Sequence, residues 1–304
     1  MRGADGIYVE IVIAGSIDDV WTRTQDPALH EQWDLRFTSI EYLPRPDPAA
    51  PQRFLYATRL GFGLGIEGQG ESVGSHDRGG GERTSALEFW SDDPRSLIRK
   101  GSGYWKYIPV PGGVKFLTWY DYTTRFGALG GGLDRVFRPL LGWATAWSFD
   151  RLRLWIERGI DPGLSLERSL VYATARLAVA GVFLWHGLVP KLLFGHADEA
   201  VMITDAGVDA ITARLGVTAA GIGEILLGIL LIVWWRSRTL LAGVIALMAA
   251  AIVLVGWFSP RFLVSAFNPV TLNACVIALS AIALLSSRDL PSASRCRRRQ
   301  TESS

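Results

Sequence analysis

The sequence predicts a two-part protein. An α+β domain, with a run of antiparallel strands and one long C-terminal helix, precedes an all-α four-helix transmembrane bundle. Residues 1–160 carry a balanced set of charges, with period-two segments followed by one long segment of helical period. Residues 169–287 hold four apolar runs of up to about 20 residues, each long enough to cross a hydrocarbon core roughly 30 Å thick. Four such runs in succession are typical of an integral membrane protein.

The α+β domain opens with a strand and two short helices. Residues 7–13 alternate in the way a half-buried strand does. Ser16 is followed three residues later by Asp19, which is the pattern of a capped helix N-terminus. Asp26-Pro27 predicts the start of a second short helix that passes through His30 and ends near Trp33-Asp34.

From residue 37 the period changes to two, which indicates strands separated by Pro- or Gly-containing turns. The strand candidates are 39–43, 53–60, 66–75, 83–90, 104–109 and 114–123. After the Gly-rich residues 127–132, the apolar positions from Leu133 to Trp155 follow i, i+3, i+4 spacing and predict one long helix. Pro139 should kink this helix or mark an early break.

The membrane part has a defined order and orientation. A short linker is expected at 161–168, and a basic, disordered tail at 288–304. Lys and Arg concentrate between the second and third spans and in the tail, which indicates that both termini are cytoplasmic. The first 13 residues are too polar and too short for a signal peptide. We therefore expect a multi-pass protein of the cell (inner) membrane. The predicted spans are about 170–189, 217–235, 240–258 and 270–285.

Several function classes are disfavoured by composition. A net charge of +2 gives no reason to propose nucleic-acid binding. Cys275 and Cys296 stand in no disulfide or zinc-binding pattern, and we expect no metal site. Residues 63–68 match GxGxxG, but the residues after them alternate like a strand, whereas the dinucleotide motif needs a helix there.

The α+β domain offers candidate ligand-binding residues but no defensible catalytic set. Its many aromatic residues either pack the core or line an interior cavity, and about half of those in strands can face inward. The candidates for the cavity are Glu71, Trp90, Trp105 and Trp119. His30 and His76 stand alone and are interpreted as surface residues. With no Ser/His/Asp arrangement and no close carboxylate pair, the sequence favours a binding protein over an enzyme.

Ionisable residues within the spans form a second candidate site, because burying a charge in a bilayer is costly. Arg176 and His186 fall in the first span, Lys191 follows at its edge, and Glu224 lies inside the second. Lys191 can extend its ammonium group to the interface. Pairing of Glu224 with Arg176 or His186 would offset part of the cost. The group is either a structural ion pair or a site for protons or a head group.

Two parts of the sequence resemble known protein families. Ile11 to Trp21, with Asp26-Pro27 and Trp33-Asp34 after it, resembles the START-like superfamily of polyketide cyclase/dehydrase and lipid-transport proteins (SRPBCC). The resemblance covers about 155 residues. It implies an α+β helix-grip fold, in which a curved antiparallel sheet wraps around a long C-terminal helix and leaves an internal cavity for an apolar ligand.

The membrane part resembles the DoxX-like family over about 120 residues. The matching segments are Arg176 to Phe194, Gly223 to Gly228 and Phe267 to Pro269. They add Asn268 to the candidate polar site. DoxX relatives are linked to quinone-coupled respiratory complexes and to membrane redox or thiol-stress assemblies. This chain has no paired thiols and no pair of haem ligands on facing spans, which argues against direct electron transfer.

The expected function is non-catalytic. The cytosolic domain would bind an apolar molecule of the isoprenoid, quinone or acyl type and exchange it with the lipid bilayer or the bundle, without a required cofactor. One alternative is a quinone-linked membrane oxidoreductase subunit that uses Arg176, His186 and Glu224. Another is a membrane scaffold that recruits a partner, such as a redox enzyme.

Overall fold

The computed structural model describes residues 6–45, 47, 50–61, 64–78 and 81–300. They divide into two units. The first consists of residues 6–165 together with 291–300, and the second is Leu166–Leu290. The first unit contains the sheet and the long helix, and the second contains the apolar helices.

Seven strands form one antiparallel sheet in the order β1-β7-β6-β5-β4-β3-β2. Every strand that the sequence predicts is present, and β4 and β6 run well beyond the predicted ends because pairing with neighbours decides where a strand stops. The strands are β1 (Ile7–Ile13), β2 (Ser39–Tyr42), β3 (Arg53–Gly61), β4 (Leu64–Arg78), β5 (Glu82–Trp90), β6 (Ile98–Val110) and β7 (Gly113–Thr124).

The GxGxxG match has no dinucleotide-binding context. Strand β4 begins at Leu64 and continues through Arg78, so a strand occupies the place where the motif needs a helix. Gly63, the first residue of the match, lies outside the described residues.

Two short helices follow β1 and begin as the sequence predicts. Ser16 Oγ accepts the backbone N–H of Asp19 at 3.0 Å and so caps α1 (Ile17–Gln25). Asp26 accepts the N–H groups of Ala28 and Leu29 at the start of α2 (Pro27–Trp33), where Pro27 occupies the first turn.

The long helix α3 (Gly127–Arg158) is continuous through Pro139, so the predicted break is absent. It ends at Gly159, whose φ of 64° is a left-handed conformation that glycine adopts without strain. Helix α3 packs mainly against β1, at one edge of the sheet, and against the tail segment Ala293–Arg295; β7 is the other strand it packs on. Strand, two short helices, antiparallel strands and a long final helix are the order of the helix-grip fold, which confirms the predicted fold class.

The C-terminal residues pack on the first unit. The N–H of Ser292 donates to Asp150 Oδ2 on α3 at 2.8 Å. Arg297 pairs with Glu10 as an isolated antiparallel bridge on β1. Where the sequence predicts a disordered tail at 288–304, the described part, up to residue 300, is therefore ordered. Strand β1 is an edge strand, and its open backbone groups provide the pairing site.

The second unit is helical. Four of its helices are long and apolar enough to cross a membrane, as the sequence predicts: Pro162–Leu193, Ala210–Val233, Arg238–Phe258 and Pro269–Ser286. Its elements are α4 (Pro162–His186, from Leu166 onward), a π-helical turn (Gly187–Leu193), α5 (Ala197–Thr204), α6 (Ala210–Val233), α7 (Arg238–Phe258), a 3-10 helix (Pro260–Val264) and α8 (Pro269–Ser286). The linker predicted at 161–168 is helical from Pro162 onward, because Asp161 accepts the N–H of Leu164 and so begins α4.

Candidate functional site

One of the four residues predicted to line an interior site, Trp105, lies inside the first unit. Its ring centre is 5.7 Å from that of Phe116, which stacks at 4.4 Å on Phe149 of α3. Trp33 of α2 lies 6.1 Å from Phe149 and is fully buried. These four rings form a closed aromatic core between α2, α3 and strands β6 and β7, so Trp105 packs the core.

The other three predicted residues, Glu71, Trp90 and Trp119, lie on the opposite face of the sheet. Trp119 pairs with Tyr104, one residue out of phase with Trp105, and stacks on it at 6.1 Å. Glu71 pairs with Glu88, which is likewise out of phase with Ser85, the strand partner of Trp105. Since side chains alternate between faces, the structure does not bring the four predicted residues together.

Three rings lie directly over glycines of the neighbouring strand, on the inward face. A Cβ atom at Gly68 would stand 2.2 Å from Tyr56 Cζ, and one at Gly101 would stand 2.3 Å from Phe89 Cζ. Phe54 covers Gly70 in the same way. These rings can approach the backbone only because the partner has no side chain. The surface formed by Phe54, Tyr56, Leu87 and Phe89 is called the aromatic floor below.

The aromatic floor belongs to the same face as the core, but α3 does not lie mainly over it. Leu87 and Phe89 alternate in phase with Ser85, which pairs with Trp105. Helix α3 packs on β1 and β7, whereas the floor is on β3 and β5. All four floor residues remain half-buried. The inward face therefore has a closed half under α3 and a more open half that carries the floor.

A buried ionic cluster stands between these two halves. Asp34, the residue that ends α2, has a fully buried side chain. Arg36 Nη2 lies 2.6 Å from Asp34 Oδ2 and Arg36 Nε lies 2.9 Å from Asp34 Oδ1, which is a bidentate pair. His30 Nε2 lies 3.1 Å from Asp34 Oδ2, one helical turn earlier.

Burial and the contacts among the three residues of the cluster set the protonation states of Asp34 and His30. Burial opposes ionisation of Asp34, but the charge and hydrogen bonds of Arg36, with the hydrogen bond of His30, outweigh it and hold the pKa of Asp34 well below its usual value. Burial lowers the pKa of His30, and Asp34 offsets only part of this effect. At neutral pH the cluster is therefore an Asp34–Arg36 ion pair with a neutral imidazole.

Ring contacts connect the cluster to both halves. The His30 ring centre lies 5.0 Å from that of Trp105 in the core and 5.2 Å from that of Phe37. Phe37 in turn contacts Tyr56 of the aromatic floor at 5.6 Å. The Arg36 guanidinium lies 5.4 Å from the Tyr120 ring centre. A charged donor thus stands at the inner border of an aromatic surface.

The sequence interpretation missed this cluster. His30 was expected at the surface, and the structure corrects this, because α2 turns its side chain toward Asp34 and Trp105. The i, i+4 spacing of His30 and Asp34 on a predicted helix, with Arg36 two residues later, is the signal that could have identified it. The side chain of His76 lies outside the described part of the structure.

In the second unit, Lys191 is the partner of Glu224. Lys191 Nζ lies 3.1 Å from Glu224 Oε2 and 3.1 Å from Glu199 Oε1, and the Lys191 side chain is 9% exposed. Gly187 and Gly221 allow this, because a Cβ at Gly187 would stand 2.5 Å from the Gly221 carbonyl oxygen. The π-helical turn therefore lies close against α6 and brings Lys191 over Glu224. The expected pairing of Glu224 with Arg176 or His186 is replaced by this one.

Arg176 has a separate structural task. Its side chain is fully buried and donates to the carbonyl oxygens of Leu231 (2.7 Å), Trp234 (2.7 Å) and Ser237 (3.0 Å). Leu231 lies in the last turn of α6, Trp234 is the residue that ends this helix, and Ser237 is the N-cap of α7. Arg176 thus caps α6 and is separated from the Lys191–Glu224 pair.

The two remaining candidates of the membrane part, His186 and Asn268, lie at helix ends. His186 is the last residue of α4 and is half-buried. Asn268 Oδ1 accepts the N–H of Thr271 at 2.8 Å and caps α8, with Pro269 in its first turn. Of the five predicted polar residues, only Lys191 and Glu224 are paired with one another.

Solved structures resemble the first unit. The STAR-related lipid transfer protein from Xanthomonas axonopodis is 18% identical and has a TM-score of 0.40, covering 52% of this chain and 90% of that one. The Zhui aromatase/cyclase from Streptomyces sp. R1128 is 14% identical with a TM-score of 0.35, covering 49% and 95%. At these identities and scores the likenesses say nothing about ligand or reaction.

A known family and a bacterial relative match this chain. The DoxX-like family model matches residues 180–281. YndG of Bacillus subtilis (strain 168), described as an uncharacterized membrane protein, is 47% identical over 202 residues, which is 65% of this chain and 75% of that protein. The chain belongs to the family of the membrane protein YndG and carries a DoxX-like domain.

Proposed function

We propose that the helix-grip unit binds an apolar molecule of the isoprenoid, quinone or acyl type, and that the DoxX-like domain keeps this unit at the bilayer that supplies the molecule. The aromatic floor carries the proposal. Rings that lie over glycines present an apolar surface on β3 and β5, and α3 packs mainly elsewhere. Ligand sites are commonly concave and mostly apolar, with a few polar groups that fix orientation.

The Asp34–Arg36 pair supplies such a polar group. Asp34 engages the Nε and Nη2 groups of Arg36. A guanidinium has five N–H donors, so others remain for Tyr120 and for an acceptor on the ligand. A carbonyl or carboxylate at one end of an apolar molecule fits this arrangement. We propose Arg36 as the anchor and the aromatic floor as the surface for the chain or ring.

The tail supports a cytoplasmic location for the first unit. The Glu10–Arg297 bridge requires residue 297 to be on the same side of the membrane as β1. An even number of crossings, such as the four candidate spans, satisfies this requirement. The basic residues of the 236–238 loop and the tail then favour the cytoplasm for both, by the positive-inside rule.

The test is ligand titration of the full-length protein in detergent. The probes are 11-(dansylamino)undecanoic acid, decylubiquinone and farnesol, with quenching of tryptophan emission as the readout. We expect Leu87→Gln to weaken binding on the order of tenfold, because it places an amide in the apolar contact surface. The matched control is Leu55→Gln, since Leu55 is exposed and lies out of phase with Phe54 and Tyr56.

Equal loss of affinity in both Leu→Gln variants would contradict the proposed site. Binding of none of the three probes, with no apolar molecule released by solvent extraction and detected by mass spectrometry, would overturn the proposed function. Binding of only one probe would select the ligand class.

A second candidate function places a quinone in the DoxX-like domain. The observation that favours it is the Lys191–Glu224 pair beside a π-helical turn, an irregularity frequent at functional sites. Arg176 is engaged as a helix cap, so the head-group site would consist of Lys191 and Glu224. Decylubiquinone binding that is lost in Glu224→Gln and kept in Leu87→Gln would support this candidate over the first.

A further inference from the structure

An arginine-rich pocket opens on the first unit, away from the aromatic floor. It has a volume of about 830 Å³ and lies between the start of β1, the N-terminal half of α3 and the tail. The tail reaches it because Arg297 exchanges two backbone hydrogen bonds of 2.9 Å with Glu10. The charged residues that line it are Asp134, Arg135, Arg138, Arg297, Arg298 and Arg299. The pocket is called the arginine pocket below.

The charge of the arginine pocket is only partly balanced. Arg138 contacts Asp134 and Asp121 at 2.7 Å, and Arg297 lies 3.3 Å from Glu10. Arg135, Arg298 and Arg299 are exposed and have no acidic partner among the residues that the structure describes. Guanidinium groups stay charged and bind phosphate oxygens through paired N–H donors. The pocket thus has the chemistry of a phosphate site.

Helix α3 also carries an exposed apolar stripe. Its members recur at intervals of four and three residues and so lie on one side of the helix. Val136 is 74% exposed and Leu129 is 69% exposed, which is unusual for residues of this type. The stripe consists of Leu129, Leu133, Val136, Leu140 and Trp143. A helix with an apolar stripe and basic residues on its other sides is typical of a segment that lies in a membrane interface.

We propose that the arginine pocket binds the phosphate head groups of anionic phospholipids, and that the apolar stripe of α3 enters the bilayer interface. The first unit thereby docks on the membrane that its own chain spans. A bilayer is the occupant that satisfies both features, because it offers anionic head groups and an apolar layer together. A soluble phosphate would occupy the pocket and leave the stripe in water. This docking is independent of ligand binding on the aromatic floor.

The test uses the full-length protein in nanodiscs. Both free cysteines, Cys275 and Cys296, are replaced by Ser, and a nitrobenzoxadiazole label is attached at Val136→Cys on the stripe. A second protein carries the label at Ser102→Cys, an exposed position of β6. In discs with about one third phosphatidylglycerol we expect the label at 136 to shift to shorter wavelength and to be quenched by nitroxide lipids. The label at 102 should do neither. In pure phosphatidylcholine discs the shift at 136 should be much smaller, and 0.5 M salt should weaken it.

The pocket is tested by Arg135→Gln/Arg298→Gln/Arg299→Gln. Each basic residue near an anionic surface strengthens binding to that surface severalfold. We therefore expect the triple variant to weaken docking of the first unit on the anionic bilayer roughly a hundredfold and to abolish the wavelength shift of the label at 136. The control is Arg59→Gln/Arg99→Gln/Lys115→Gln, which removes the same three positive charges from strands β3, β6 and β7, outside the pocket. Equal shifts in the two disc types, or equal losses in the two triple variants, would overturn the proposal. So would displacement of the label from the bilayer by 10 mM inorganic phosphate, which would assign the pocket to a soluble anion.

Discussion

Glu10 on β1 and Arg297 in the C-terminal tail, 287 residues apart, exchange two backbone hydrogen bonds of 2.9 Å. The four candidate spans lie between these two residues in the chain. The bridge therefore closes the chain on itself and uses the last described residues to extend the edge of the sheet.

Ending the chain after Leu290 should destabilise the first unit. The change removes the bridge to β1 and the hydrogen bond from Ser292 to the buried Asp150. Each lost hydrogen bond costs about 1 kcal/mol, so we expect the unfolding midpoint to fall by roughly 5 °C or more. Differential scanning fluorimetry in detergent measures this. A chain that ends after Arg299 keeps the bridge and serves as the control. Equal midpoints for the two chains would show that the bridge adds no stability.

His30 should make the stability of the first unit depend on pH. Because burial depresses its folded-state pKa, the unfolded state binds the proton more readily below its own pKa of about 6.5. The stabilising effect of a neutral His30 is present above that value and is lost as the pH falls below it. For a single proton this slope has an upper limit of about 1.4 kcal/mol per pH unit.

The measurement is chemical unfolding between pH 7.5 and 5.0. His30→Gln should flatten the dependence, since its amide can still donate to Asp34 but does not titrate. His196→Gln is the control, because the His196 side chain is 62% exposed. If the two variants lose stability with pH as steeply as the wild type, burial of His30 is not the cause.

Gly68→Ala should displace the Tyr56 ring from the aromatic floor. The new methyl group would meet Tyr56 Cζ at 2.2 Å, and we expect a cost of about 1–3 kcal/mol. In a Tyr56→Ala background the same change should cost far less, because the ring is gone. Gly65→Ala on the same strand is the control, since its nearest neighbour would be 3.9 Å away. Additive effects of the two substitutions would contradict the stacked arrangement.

Lys191→Met should destabilise the second unit by about 3 kcal/mol, because it leaves Glu224 shielded without its cation. Adding Glu224→Gln should recover part of the loss, with a coupling free energy of about 1–3 kcal/mol. Thermal unfolding of the two single variants and the double variant in detergent gives this cycle. Arg214→Gln, at an exposed position of α6, controls for charge removal. Strict additivity would mean that the two residues do not interact.

The sequence alone determined the local features. Four apolar runs predicted the four membrane-span candidates, since length and composition suffice for that. Alternation predicted the strands, and the helix starts at Ser16 and Asp26 followed from side chains that reach amides two or three residues away. The order of these elements, together with the resemblance of residues 11–34 to the START-like superfamily, predicted the helix-grip fold.

Only the tertiary structure decided which residues meet. Trp105 and Trp119 look equivalent in sequence, but pairing with Ser85 and Tyr104 sends them to opposite faces, because a shift of one residue reverses every side chain. The close approach of Gly187 and Gly221 brings Lys191, and not Arg176, next to Glu224. The tail is ordered because it forms hydrogen bonds with the open edge of β1, a strand far away in sequence. Contacts of this kind depend on register and close packing between distant segments, which no local pattern encodes.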